Sequence, residues 1–365
     1  MKYRVVSILK DNRPRFLIIS DIEEIEILPS KYLKHLDQIN TSPNTVKSAA
    51  FALSYYYNYL QEQTIGLDEI TLLSYSEQNK HFIDFLYWVK SGKHTEHNTQ
   101  TSNKTCNMYL GAVFRYYQFL ALEDVLPMLK VLRVKKVSYF DSMGVNHQNA
   151  VNSFKGFFKE EEPNLEEITS EEIQELINAC TNDRDRLLIA MMAETGLRLG
   201  EILGIHYTED IDFERNEISI TKEVSWVNSQ PTIQTPKTKN AIRIVPLLAP
   251  LKQELLTRKQ KADNYLLGGE APLKMYEYRR LWLDYCKDLG MVEIDYAAEQ
   301  GRERKYHKAY GPERKRKPPT THLYKPAVTA HQFRHEMASA MYEAGIGELE
   351  TQKILGHADI STTRK

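Results

Sequence analysis

Hydrophobic positions in residues 29–130 recur at the spacing of α-helices. One helix is predicted to begin at Ser42-Pro43, because Ser is a favoured N-cap and Pro is favoured at the first helical position. Its apolar residues then recur every three or four positions, at Val46, Ala49, Ala50, Leu53, Tyr57 and Leu60. Two later runs share this spacing: Phe82, Phe85, Leu86 and Val89, then Met108, Val113, Tyr116, Tyr117 and Leu120. The zone predicts a bundle of about four helices with its tyrosines in the core.

Short apolar runs typical of β-strands lie on both sides of this helical zone. Three of them lie near the N-terminus, at 3–9, 16–19 and 25–28. We expect residues 1–28 to form a β-rich appendage that packs on the helices, with an accessory DNA-binding element as the alternative. In the second half of the chain, Glu217–Ile220 and residues 241–245 predict the strands of one short antiparallel sheet.

A change in pattern after residue 130 predicts a domain boundary. Residues 131–165 mix polar and apolar positions without a period, which is typical of a linker. Thr169 followed by Glu172 is a capping box, so a second domain is expected to open with a helix. The expected order is appendage, helical domain, linker and second domain, at 1–28, 29–130, 131–165 and 166–365. Since helices dominate, the fold class is mainly α with a small antiparallel sheet (α+β).

Composition narrows the class of protein without identifying its partner. A chain of 365 residues is long enough for two domains, and its net charge of −1 neither supports nor excludes nucleic acid. The three cysteines are far apart, which predicts free thiols in a reducing cytosol and no metal site. The chain has no apolar run of membrane-spanning length and no signal-peptide pattern at Met1. We therefore expect a cytoplasmic protein with no membrane partner.

Local charge is more informative than the total. Between Arg302 and Lys325 there are nine basic and two acidic residues, a local charge of +7 with aromatic residues interleaved. Such a segment can contact phosphates, although a solvated loop is the alternative. Candidate DNA contacts in and near the second domain are Lys239, Arg243, Arg302, Arg304, Arg314, Lys315, Arg316 and Lys317. A second basic cluster, at the start of the linker, contains Lys130 and three further candidate DNA contacts, Arg133, Lys135 and Lys136.

Metal-free DNA cleavage needs cationic donors for the phosphate oxygens, a nucleophile and a proton for the leaving oxygen. Arg198 follows a glycine that can end one helix, and it opens a new helix with Glu201 three positions later to orient it. His331 and Arg334 are spaced to share one helical face, with Phe333 between them facing inward. Taken singly, each arrangement is more typical of an ordinary surface residue or amphipathic helix than of a catalytic site.

Two further segments complete the set. Residues 355–357 read Leu-Gly-His, so that His357 lies at a junction where Gly356 ends a helix. Residues 235–240 form a turn between the predicted strands and contain Lys237 and Lys239. A lysine there could reach a minor groove and protonate a leaving oxygen, whereas most such turns are simply solvated.

In their order and intervals these four segments strongly resemble the catalytic domain of the tyrosine recombinase (phage-type integrase) family. The resemblance covers about residues 165–365, and the helical zone before it resembles the family's core-binding domain. It implies that Arg198 and Arg334 bind the scissile phosphate and that His331 and His357 contact it or move protons. Lys237 would be the general acid, with Lys239 as a weaker candidate. His335 and Glu201 would support these residues.

The resemblance also implies a nucleophilic tyrosine about nine residues after the Leu-Gly-His segment. That position falls immediately after Lys365, so we expect a longer protein to carry it. As printed, the 365-residue chain is expected to bind DNA without cleaving it. Tyr342 is interpreted as a packing residue of its helix and not as a substitute nucleophile.

The function implied is site-specific recombination of a mobile element through a 3′-phosphotyrosine, without metal or cofactor. Its partners would be double-stranded DNA at specific sites, three further copies in a tetramer on two paired sites, and accessory DNA-bending or excision factors. The location would be the prokaryotic nucleoid. Two alternatives remain, a non-cleaving DNA-binding relative and a type IB topoisomerase.

Overall fold

Two compact units, Met1–Pro163 and Asn164–Lys365, make up the chain, and each has its own hydrophobic core. The computed structural model describes residues 3–10, 13–95, 100–132, 135–140, 146–151, 154, 157–160, 167–227, 230–236, 239–258, 264–296, 298–299, 301–302 and 321–356. Helices dominate both units and the strands form small antiparallel sheets. The predicted α+β class is therefore confirmed.

The described part of the first unit contains five helices. They are α1 (Ile27–Gln38), α2 (Pro43–Glu62), α3 (Glu69–Leu72), α4 (Tyr75–Lys90) and α5 (Asn103–Leu122). Serine caps begin three of them: the hydroxyls of Ser42, Ser74 and Ser102 each accept a hydrogen bond from the backbone N–H three residues later. The start predicted at Ser42-Pro43 is thus confirmed.

A hairpin of β1 (Tyr3–Lys10) and β2 (Arg13–Ser20) precedes these helices. Phe16 and Ile18 of β2 are buried in the same core as the helices. The strand predicted at 25–28 is wrong, because Ile25 makes only a single bridge to Ile19 and α1 begins at Ile27. Tyr32 and Leu33 are buried on that helix. A short apolar run did not distinguish a strand from a first helical turn.

Buried tyrosines form hydrogen bonds across the first core. The hydroxyls of Tyr57 and Tyr116 are 2.8 Å apart, and those of Tyr56 and Tyr117 are 3.0 Å apart. Tyr56 also lies 3.0 Å from Nε2 of His81. Each phenol therefore has a polar partner inside the core, as buried hydroxyls require. This confirms the prediction that these tyrosines are packing residues.

The segment predicted to be an irregular linker contains a second hairpin. β3 (Lys135–Phe140) pairs antiparallel with β4 (Asn146–Val151). Few of these residues are apolar and they show little alternation, so the periodicity of side chains gave no strand signal. Arg133 and the side chains of Lys135 and Lys136 lie outside the described residues.

The second unit combines helices with short sheets. Its helices include α6 (Ser170–Ala179), α7 (Asp183–Thr195), α8 (Leu199–Gly204), α9 (Tyr207–Asp210), α10 (Ala249–Arg258), α11 (Met275–Asp288), α12 (Ala330–Glu343) and α13 (Glu348–Leu355). Its strands include β5 (Ile211–Asp212), β6 (Glu217–Ile220), β7 (Glu223–Val227), β8 (Gln230–Gln234), β9 (Arg243–Pro246), β10 (Val292–Ile294) and β11 (Tyr324–Pro326). The capping box predicted at Thr169 and Glu172 opens α6.

Strands β5, β6 and β9 form a three-stranded sheet with β6 in the middle. The predicted pairing of the two strands is confirmed, with Ile218 opposite Val245 and Ile220 opposite Arg243. A hairpin of β7 and β8 lies between them in the chain and was not predicted. The lysine-bearing segment therefore follows β8 and does not join the two predicted strands directly.

Two expectations from composition can be compared with the structure. Cys106 and Cys286 are buried, Cys180 is partly exposed, and all three are free thiols. Within the described ranges, none of the helices combines the length and apolar character that a bilayer crossing needs. The same residues contain no group of three or more His, Cys, Asp or Glu side chains that could hold a metal ion.

Candidate active site where two helix ends meet

Two glycines end helices of the second unit in the left-handed conformation. Gly196 follows α7 with a φ of 58°, and Gly356 follows α13 with a φ of 68°. Both positions confirm the helix ends predicted from glycine. A Cβ atom on Gly196 would lie 2.8 Å from Cδ2 of Leu355, so the two helix ends pack closely against each other.

Arg334 lies at this junction and is 2% exposed. Its Nη1 atom donates to the carbonyl of Gly196 at 2.9 Å, and Nη2 donates to the carbonyl of Leu355. The neighbouring Phe333 is buried in the core, as predicted from its position in α12. Burial and the positive charge of Arg198 lower the pKa of Arg334 to about 9. The guanidinium is therefore held in one orientation and is still charged at neutral pH.

Arg198 is the more accessible of the two arginines, with a side chain that is 41% exposed. It is the N-cap residue of α8, and its Nη1 donates to Oε1 of Glu201 at 2.9 Å. Its backbone N–H donates to Oε2 of the same carboxylate at 2.9 Å. Glu201 is buried and thus orients Arg198 as the spacing predicted, while the guanidinium still reaches solvent.

His331 and His335 lie on the first turns of α12, with ring centroids 4.7 Å apart and planes nearly perpendicular. Partial burial lowers the pKa of His331, and the charges of His335, Arg334 and Arg198 lower it further. Burial and Arg334 likewise lower the pKa of His335. Both imidazoles are therefore favoured as neutral groups at neutral pH, able to donate one hydrogen bond and accept another.

Arg243 occupies an internal position that differs from the surface contact expected for a DNA-binding residue. Its side chain is only 6% exposed, and two of its nitrogens donate to the two carboxylate oxygens of Glu201 at 3.0 Å. Its Nε donates to the carbonyl of Ile354 at 2.6 Å. The sequence did not predict this arrangement, because nothing local links residues 42 positions apart.

The remaining predicted residues have no described contact with the junction. Arg302 donates to the carbonyl of Thr321 at 2.8 Å and is not close to the junction by any described contact. Tyr342 is 71% exposed, so its interpretation as a packing residue is wrong. Several predicted residues lie outside the described residues, wholly or in their side chains: Lys237, Lys239, Arg304, Arg314, Lys315, Arg316, Lys317 and His357.

The junction therefore brings Arg198 together with His331 and Arg334, which lie more than 130 positions later in the chain. In addition to burial, the positive charges of Arg198 and Arg334 lower the pKa of His331, and that of Arg198 lowers the pKa of Arg334. Glu201 is the acidic group among them, and it is shared between Arg198 and Arg243. The cluster keeps an excess of positive charge with donors held by backbone contacts, which suits a phosphate-sized anion.

The model of the phage integrase family matches residues 166–365, more than half of the chain. Transposase A from transposon Tn554 of Staphylococcus aureus is 24% identical over 378 residues, covering 100% of this chain and 92% of the relative. Tyrosine recombinase XerA of Pyrococcus furiosus is 28% identical over 253 residues, covering 66% of this chain and 74% of the relative.

Solved structures show the same fold. The Tn1549 transposon integrase in complex with a circular intermediate DNA superposes with a TM-score of 0.58 at 15% identity, covering 92% of this chain and 93% of that one. A lambda integrase dimer bound to a COC′ core site gives a TM-score of 0.52 at 14% identity, covering 93% of this chain and 76% of that one.

Proposed function

This chain belongs to the phage integrase family, and on that premise we propose that it cuts and rejoins DNA at specific sites through a phosphotyrosine link. The observation that carries the proposal is the cationic junction, in which Arg198 at the start of α8 converges with His331 and Arg334 of α12. A site of this kind stabilises the charge that grows on a phosphate during cleavage. The similarity to named recombinases along most of the chain supports the same activity.

Each residue of the junction has a proposed part in cleavage. Arg198 reaches solvent and would bind one non-bridging oxygen of the scissile phosphate, while Arg334 would face the phosphate from the helix junction. His331, held as a neutral imidazole, would hydrogen-bond a third position. His357 and Lys237 complete the proposed set, with Lys237 as the acid for the leaving oxygen and Lys239 as its alternative.

The proposed reaction balances without an external energy source. A tyrosine hydroxyl attacks phosphorus and gives its proton to a general base, for which neutral His331 is the candidate, while the bond to the 5′ oxygen breaks and that oxygen takes a proton from the general acid. One phosphodiester is exchanged for one phosphotyrosine ester, so rejoining reverses the same step with a new 5′ hydroxyl. Junction residues that stabilise the transition state therefore accelerate both directions.

The partners follow from this activity. Double-stranded DNA would contact both units, with the first acting as a core-binding domain and the second as the catalytic domain. Recombination between two paired sites calls for four copies, and accessory DNA-bending or excision factors would set direction. Similarity to a transposase over the whole chain favours a transposon over a chromosome-dimer role, although Xer recombinases are also similar. The basic residues Arg302, Arg304, Arg314, Lys315, Arg316 and Lys317 would contact DNA phosphates.

Arg198→Ala tests the proposal in protein made from the complete reading frame. The substrate is a nicked duplex from the end of the element, which traps the covalent adduct for detection on a denaturing gel. Because Arg198 acts on transition-state charge, the adduct should form about 10²-fold more slowly, with DNA affinity nearly unchanged. The control is Arg186→Ala, which removes an exposed ion pair with Glu254 in the same unit.

Three results would contradict the proposal or change it. Absence of any adduct in the unaltered protein, with tight DNA binding, would favour the non-cleaving relative. Relaxation of a supercoiled plasmid without paired sites would favour a type IB topoisomerase. Equal adduct rates for Arg198→Ala and Arg186→Ala would remove the junction from the reaction.

A further inference from the structure

Arg243 uses its guanidinium almost entirely inside the protein. Nη1 and Nη2 donate to Oε1 and Oε2 of Glu201, each at 3.0 Å, which is the two-point geometry that a carboxylate and a guanidinium form best. Nη1 also donates to the carbonyl of Ala241 at 2.9 Å, and Nε donates to that of Ile354 at 2.6 Å. One side chain on β9 thus contacts α8, α13 and the turn that precedes β9.

The contact with Ile354 completes the C-terminal end of α13. The last four carbonyls of a helix have no partner within it. Here the N–H of Gly356 donates hydrogen bonds to the carbonyls of Gln352 at 2.8 Å and Lys353 at 3.2 Å. Arg243 donates a hydrogen bond to the carbonyl of Ile354, and Arg334 donates one to the carbonyl of Leu355. Two guanidinium groups therefore hold the helix end from which the chain continues to His357.

Gly356 allows Arg243 to approach this closely. A Cβ atom on Gly356 would lie 2.8 Å from Nη1 of Arg243 and 2.9 Å from the carbonyl oxygen of Asn240. The glycine thus serves two needs, a left-handed helix end and space for a guanidinium. The turn before β9, Arg243 and the helix end are packed as one assembly.

Glu201 connects this assembly to Arg198. Its Oε1 atom accepts hydrogen bonds from both Arg198 at 2.9 Å and Arg243 at 3.0 Å. The carboxylate is buried, so its position depends on the two arginines that neutralise it. A change at Arg243 would free the carboxylate to rotate and carry Arg198 with it.

We propose that Arg243 is a positioning residue for the cleavage reaction, which holds Arg198 through Glu201 and holds the C-terminal end of α13 through Ile354. This inference rests on the proposed function. Arg243 itself does not touch the phosphate. Lysine cannot replace it, because an ammonium group lacks the planar fork of a guanidinium. Only that fork can donate to both carboxylate oxygens and, on its opposite side, to a carbonyl.

The test compares Arg243→Lys and Arg243→Gln with the unaltered protein, made from the complete reading frame, on the nicked duplex. Both variants should bind the duplex with nearly unchanged Kd. The single-turnover rate of adduct formation, corrected for the active fraction, should fall about 10²-fold in both, as expected for small misplacement of a catalytic group. The control Arg186→Gln loses an exposed ion pair in the same unit and should keep the full rate.

A pH profile separates positioning from loss of stability. Burial alone would raise the pKa of Glu201, but the hydrogen bond and charge of Arg243, with those of Arg198, leave that pKa below its usual value. Without Arg243 the raising effect of burial prevails, so Glu201 takes up a proton as pH falls and ceases to hold Arg198. The rate for Arg243→Gln should therefore show a downward step as pH falls, at a higher pH than any such step in the unaltered protein. Adding Glu201→Gln should remove this step.

The possible outcomes distinguish failure of the inference about Arg243 from failure of the proposed function. If the unaltered protein forms no adduct, the proposed function has failed. If it forms the adduct and Arg243→Gln matches its rate and pH profile, only the inference about Arg243 is overturned. A full rate in Arg243→Lys overturns it as well, since charge alone would then suffice. If Arg243→Gln does not fold, the measurements on Arg243→Lys decide.

Discussion

At the scale of single residues, His81 shows what burial in the first unit does to a titratable group. The ring packs among aromatic side chains of α2 and α4, and its Nε2 atom lies 3.0 Å from the hydroxyl of Tyr56. Burial lowers the pKa of His81 to about 4. The folded protein therefore resists a proton that the unfolded chain, with an ordinary histidine pKa of about 6.5, accepts readily.

This difference predicts a loss of stability in acid. Between about pH 6.5 and about pH 4 the unfolded chain binds one more proton at His81, so the free energy of unfolding falls as pH falls, by at most about 3 kcal/mol. Urea unfolding followed by circular dichroism at several pH values measures the change. His81→Gln, which can still hydrogen-bond Tyr56, should lose this part of the pH dependence. Identical pH profiles for the two proteins would show that His81 does not contribute.

Arg243 marks the limit of prediction at the same scale. The order of the four segments and their resemblance to a known family selected Arg198, His331 and Arg334, and local spacing suggested that Glu201 orients Arg198. Arg243 was predicted to be a DNA contact. Its actual partners, Glu201 and Ile354, come from distant segments that only the folded chain brings together.

At the scale of elements, Gly196 and Gly345 both follow helices in the left-handed conformation, but their surroundings differ. Gly196 has a φ of 58°, and a Cβ there would meet Cδ2 of Leu355 at 2.8 Å and Cγ of Met337 at 3.1 Å. Gly345 has a φ of 78° with no atom within 4 Å of its Cβ position. The pair separates backbone strain from crowding, since both residues are left-handed and only one is enclosed.

Gly196→Ala should destabilise the second unit more than Gly345→Ala does. Each substitution costs about 1 kcal/mol for a left-handed alanine. Gly196→Ala adds roughly 1–3 kcal/mol because Leu355 and Met337 must move. Urea unfolding of both variants measures the difference. Equal losses in the free energy of unfolding would mean that Leu355 and Met337 can move without an energetic penalty.

Elements with strong local chemistry were predicted, and those without it were missed. The helices α2, α4 and α5 have apolar residues every three or four positions, and capping residues identified the starts of α2 and α6. The hairpin of β3 and β4 has few apolar residues, so its backbone pairing left no pattern in the sequence. In the second unit, the hairpin of β7 and β8 was missed, because its residues were assigned to the interval between two predicted strands.

At the scale of the whole molecule, two separate cores and a nearly neutral total charge suggest how DNA affinity is divided. With a net charge of −1, attraction to DNA must come from local clusters on each unit and not from the molecule as a whole. On the proposed function, two units joined by one chain would bind the same duplex at a high effective concentration. We therefore expect the joined protein to bind much more tightly than either part.

Residues 1–163 and 164–365, produced as separate fragments, test this division. Each should unfold cooperatively on heating, because each contains a complete hydrophobic cluster. Each should bind a duplex from the end of the element about 10²- to 10⁴-fold more weakly than the whole chain, as measured by fluorescence anisotropy at one salt concentration. Mixing the fragments should not restore the affinity, since the link between them supplies it. A fragment that binds as tightly as the whole chain would assign the affinity to one unit and leave the other without a part in it.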